Sequence, residues 1–151
     1  MNGKKTSPTR NQQLLVTREQ QLAAARRLVS KNTKRREKAK AAFLSLIEAK
    51  RNLYFEVTMK LIDHLKQHLF IDDVEEIFVA YIEQDKLLHN DAVKALIELL
   101  KDRDCKNAVK KILREYFDRW EIDDDIEEVL VDVLSLPCGV KLNVNEALDT
   151  I

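Results

Sequence analysis

Between Thr9 and Leu136 the chain contains neither glycine nor proline; the only copies are Gly3, Gly139, Pro8 and Pro137. These two residues cost most inside a helix, so their absence removes the main obstacles to helix formation over that stretch. Strands would need tight turns, and the Asn-Gly and Gly-rich pairs that make them are missing. The expected fold is all-α: long N-terminal helices followed by a compact bundle of about four short helices.

The apolar pattern divides the chain. Residues 1–10 are polar and are expected to be disordered, without the apolar core of a secretory signal. Residues 11–41 read as a basic, partly projecting helical region, 42–136 as an α-helical bundle, and 137–151 as an extended C-terminal tail in which Val140, Leu142 and Val144 alternate. The first helix begins either at Ser7-Pro8 or at Thr17, where Thr-Arg-Glu-Gln fits a capping box. Leu15, Leu22 and Val29 recur every seventh residue, the spacing of a coiled-coil seam able to bury a partner helix or a second copy. The register is lost at Arg36 and returns at Phe43. Residues 31–40 are too polar for a core helix and form either a solvated helix or a hinge near Asn32-Thr33.

From Ala41 onward Phe43, Leu46, Ile47, Leu53, Tyr54, Val57, Leu61, Leu65 and Leu69 predict one long helix reaching about Phe70. Four shorter helices follow, with stripes that begin at Val74, Val93, Cys105 and Ile126 and with acidic residues at their starts, where the helix dipole favours them. Asp123 to Asp125 are assigned to capping. Tyr116, Phe117 and Trp120 are assigned to the core. The helix-turn-helix spacing resembles that of solenoid repeats, but no signature residue stands out at a fixed period, so a bundle is preferred.

Charge is the most informative functional feature. Lys and Arg balance Asp and Glu at 26 each, yet residues 1–60 carry 15 basic against 4 acidic side chains and residues 61–151 carry 11 against 22. A split of this kind points to a polyanion at the basic end, to head-to-tail pairing of copies, or to a chain that folds back on itself. The candidate nucleic-acid contacts are Arg26, Arg27, Lys31, Lys34, Arg35, Arg36, Lys38 and Lys40, which would pair with backbone phosphates. No aromatic residue lies among them, so base stacking is not expected of this stretch.

No catalytic pattern is present: no phosphate-cradling glycine loop and no nucleophile elbow. His64 and His68 stand i, i+4 beside Asp63, but Leu65 occupies the place of a metalloprotease glutamate and no third ligand is evident, so no metal and no cofactor are expected. Cys105 and Cys138 lack metal-type spacing and read as reduced thiols of a cytoplasmic protein. Charges interrupt every apolar run, so no membrane span is expected. The sequence thus suggests a non-enzymatic, nucleic-acid-associated accessory protein. Its basic N-terminal helix would contact DNA or RNA and its acidic bundle a protein. The alternative is a purely protein–protein adaptor or assembly factor working through coiled-coil-like contacts at Leu15, Leu22 and Val29.

Overall fold

The computed structural model describes residues 15–136 and 143–151, and these residues form eight α-helices without a strand among them. In chain order they are α1 (Arg18–Arg27), α2 (Thr33–Glu48), α3 (Phe55–Lys66), α4 (Ile71–Glu83), α5 (Asn90–Glu98), α6 (Lys106–Arg119), α7 (Asp124–Leu134) and α8 (Val144–Asp149). A 3-10 turn, Leu99–Lys101, extends α5. No described helix is long and apolar enough to cross a membrane.

Several starts are capped by side chains, at Thr17 and Asp123 as the sequence suggests. The Thr17 hydroxyl accepts from the Gln20 backbone N–H while the Gln20 carboxamide accepts from the Thr17 N–H, completing a capping box on α1. Asn32 caps α2 through the Arg35 N–H, and Asp123 caps α7 through the Ile126 N–H. The N-terminal helices are shorter than the sequence suggests, because the chain turns twice where one would expect it to run on. It reverses between Leu28 and Asn32, at the expected hinge. It breaks again between α2 and α3, so the helix expected to reach Phe70 is two helices.

The second break is made without glycine. Lys50 takes a left-handed conformation with φ 62°, its N–H bonds the Ile47 carbonyl, and the Arg51 N–H bonds the Leu46 carbonyl. This is the Schellman pattern that glycine usually serves. His68 and Asp85 end α3 and α4 at positive φ, and Ser135 does the same for α7. The sequence signature of these ends is absent because the residues adopting them bear side chains.

Two further expectations change. The basic region does not project: Ala24, Ala25 and Leu28 of α1 and its following turn are buried, and α1 packs on both α2 and α3. The tail is not wholly extended: Asn143 caps α8, and Leu148 is fully buried where α8 packs on α6. Val140 and Leu142, and the expected disorder of 1–10, lie outside the described residues.

The packing order shows why the short helices are stable together. α1 packs on α3, α3 on α5 and α5 on α7; α2 packs on α4, α4 on α6 and α6 on α8. Within the first three hairpins, α1 meets α2, α3 meets α4 and α5 meets α6. The result is a two-layer stack of helical hairpins, in which each unit buries its faces against its neighbours. The units are related by a shift of about 35 residues. The Tyr81 hydroxyl accepts from the Leu53 N–H, and the Tyr116 hydroxyl from the Leu88 N–H, each spanning 28 residues. The same shift relates buried Phe43, Phe78 and Leu113, and buried Leu61 and Leu96. The repeat is therefore real and resides in burial and in one tyrosine bond, not in a run of identical residues.

Candidate nucleic-acid interface

The eight basic candidates all fall on the α1–α2 hairpin and its turn, but they do not share one fate. Lys40 is taken by the protein itself. Its ammonium lies 2.7 Å from Glu76 and 3.0 Å from Asp73 on α4, and these two carboxylates hold its pKa above the ordinary 10.5. Arg36 is also engaged internally. It donates to the Ser30 carbonyl at 2.7 Å and to the Thr33 hydroxyl at 3.2 Å, and its guanidinium lies 4.2 Å from the centroid of the Phe70 ring. Both residues fasten the first hairpin to the second.

Arg26, Arg27, Lys31, Lys34, Arg35 and Lys38 remain exposed, and none of them forms an ion pair within the described residues. The fold brings them together because α1 ends with Arg26 and Arg27, the turn carries Lys31, and α2 begins immediately after Asn32. Two cations at the C-terminal end of α1 suit its dipole. No acidic residue stands in the first turn of α2, so its positive end adds to the same field.

Leu15, Leu22 and Val29 do not form an uncovered seam. Leu15 is buried and Leu22 packs against the core, while Val29 is half-buried in the turn after α1. Their sevenfold spacing is satisfied inside the chain. Exposed apolar side chains occur elsewhere, at the edge where α3 and α5 begin: Tyr54, Phe55 and Leu87, with the Phe55 and His89 rings 4.5 Å apart. The sequence hides this edge because Tyr54 falls into a continuous helical stripe and Phe55 lies outside it. The repeat shift pairs Tyr54 with His89 and would reveal it.

The two histidines of α3 and its end are pointed apart. His64 is buried, with Nε2 2.8 Å from the Ala25 carbonyl, and burial lowers its pKa from the ordinary 6.5. His68 pairs with Asp102 at 2.8 Å and approaches Asp104 at 3.5 Å; the hydrogen bond it donates to Asp102 raises its pKa. The His68, Asp102 and Asp104 donor atoms lie within 4.8 Å of one another, so these three are where a divalent cation would find ligands. Asp102 is already engaged, by His68 and by the Asp104 N–H at the start of α6. Cys105 is buried and desolvation pushes its thiol up to about 11, which makes it a poor nucleophile; its relation to Cys138 lies outside the described residues. Asp123 serves as a cap, while Tyr116 is buried and Phe117 and Trp120 pack partly buried against the core.

The fold and this surface define an α-helical hairpin stack with a cationic first hairpin. No family model, no curated protein and no solved structure matches the chain.

Proposed function

We propose that the protein is a non-enzymatic accessory module that holds the phosphate backbone of DNA or RNA on its first hairpin and offers the rest of the stack to a protein. The observation that carries this reading is the group of six exposed cations that the protein's own carboxylates leave unpaired. Neutralising phosphates with such side chains releases condensed counterions and gives binding that weakens steeply with salt. Contacts from Lys and Arg on one hairpin grip the backbone and leave base edges unread, so sequence preference should be slight.

The test is fluorescence anisotropy with random-sequence duplex and single-stranded oligonucleotides across a salt series. The wild type should bind at low salt. The triple change Lys34→Glu, Arg35→Glu and Lys38→Glu should abolish binding, while Lys101→Glu, in the turn of the third hairpin, should leave it nearly unchanged. Equal affinity in wild type and triple variant would sink the reading. Arg36 and Lys40 are left in place because they hold the hairpin to the stack.

The second reading, a protein–protein adaptor, is favoured by the exposed edge of Tyr54, Phe55 and Leu87. Stacked hairpins present extended surfaces of this kind, and aromatic side chains supply most of the energy at protein interfaces. Tyr54→Ala with Phe55→Ala would then abolish partner capture and leave oligonucleotide binding intact.

A further inference from the structure

In a stack of hairpins every unit is covered on two sides except the first and the last. At the front, the α1–α2 hairpin meets α3 and α4 through Gln21, the Ala25 carbonyl and Lys40. Its opposite side opens into a groove of about 740 Å³. Small residues, Ala23, Ala39 and Ala42, form its floor, and Arg27, Arg35 and Lys38 line it, with Glu19 also present. A floor of alanines admits a helix at close approach.

At the back, α7 turns Ile126 and Leu130 into the core against α5. Its other side carries exposed Asp124, Glu127 and Glu128 around half-buried Val131. None of these three carboxylates forms an ion pair among the described residues. The two ends therefore match in form and oppose in charge: a cationic groove with an apolar floor, and an anionic helix face with an aliphatic centre.

We propose that a second copy of this chain seats the outer face of its α7 in the α1–α2 groove of the first, so that copies associate head to tail. The chain already joins its own hairpins by this chemistry: Lys40 of α2 reaches Asp73 and Glu76 on α4, and Lys111 of α6 reaches Glu75 on α4. The contact is heterologous, so it leaves one unused groove and one unused α7 on every open assembly and yields chains, or rings where the two ends meet. It does not rest on nucleic-acid binding, although a polyanion on the same cations would compete with it.

The experiment uses the full chain, freed of nucleic acid, in sedimentation velocity over a wide concentration range at low and high salt. The wild type should gain mass with concentration and lose it with salt. A front variant (Arg27→Glu, Arg35→Glu, Lys38→Glu) and a back variant (Asp124→Lys, Glu127→Lys, Glu128→Lys) should each be monomeric alone. Mixed in equal amounts they should associate with each other in alternating order, because the native end of each meets the native end of the other and the two reversed ends are again opposite in charge. A chain carrying both sets should associate again. A wild type that stays monomeric at all concentrations, or a mixture that stays monomeric, overturns the proposal. The back variant keeps the front cations, so its undiminished oligonucleotide binding would separate failure of this contact from failure of the nucleic-acid reading.

Discussion

Lys50, His68, Asp85 and Ser135 show at the scale of single residues how a chain without internal glycine still turns. A side-chain-bearing residue in the left-handed region costs about 1–2 kcal/mol, and glycine relieves that cost at the expense of a freer unfolded chain. Lys50→Gly should therefore raise stability by about 0.5–1 kcal/mol in urea unfolding; a loss of stability would show that the Lys50 side chain contributes more than its backbone costs. The histidines give opposite pH dependences. His64 is held neutral by burial, so its pKa in the fold lies below 6.5. Its contribution is complete above that value and is lost as pH falls through it toward the folded pKa. His68 is held charged by Asp102, so its pKa lies above 6.5; its contribution is complete below that value and is lost as pH rises through the folded pKa. His64→Gln keeps a donor for the Ala25 carbonyl and should flatten the acid side of a stability–pH curve below pH 6.5. His68→Ala should flatten the neutral side. Unchanged slopes in both would mean that other groups carry the pH dependence.

At the scale of elements, the Tyr81 and Tyr116 hydroxyls tie the second and third hairpins to the loops that start their first helices. Tyr116 accepts from the Leu88 N–H and donates to the Leu88 carbonyl, both at 3.3 Å, in a buried setting. Tyr116→Phe leaves two backbone groups without a partner and should cost about 1–3 kcal/mol, seen as a lower urea midpoint with the slope unchanged. Much at this scale was legible in the sequence. The stripes Val74, Ile77, Phe78, Tyr81, Ile82 and Val93, Leu96, Ile97, Leu100 are buried as their spacing requires, and Thr17 and Asp123 cap as their types require. The break between α2 and α3 was not legible. Phe43, Leu46 and Ile47 share a helical spacing with Val57, Leu61 and Leu65, and periodicity cannot tell one long helix from two whose stripes happen to stay in phase. Leu53 decides the matter through a bond to Tyr81 that only the folded chain reveals. The basic cluster was legible as composition. The loss of Arg36 and Lys40 from it was not, because their partners Phe70, Asp73 and Glu76 lie on the next hairpin.

At the scale of the whole molecule, stability should behave as a sum over neighbours, because helices pack on the next one or the next but one along the chain and distant hairpins share no major contact. Damage at one end should then stay there. Leu130 is fully buried on α7, where its loss leaves a cavity costing about 2–5 kcal/mol. In a molecule with a single cooperative core, Leu130→Ala would raise the hydrogen exchange of every slowly exchanging amide by the same free energy. In a stack, the variant should speed exchange in α7 and, less, in α5, while the amides of α1 to α4 keep their wild-type protection. Phe78→Ala, in the middle of the stack on α4, should instead speed exchange in both directions, since α2 and α6 each lose a packing surface there. Native-state exchange of the two variants, read helix by helix, separates the cases: a uniform rise from Leu130→Ala would show that the hairpins fold as one unit. The local outcome also matters for function, because it would let the acidic end open and re-form while the cationic first hairpin keeps its shape.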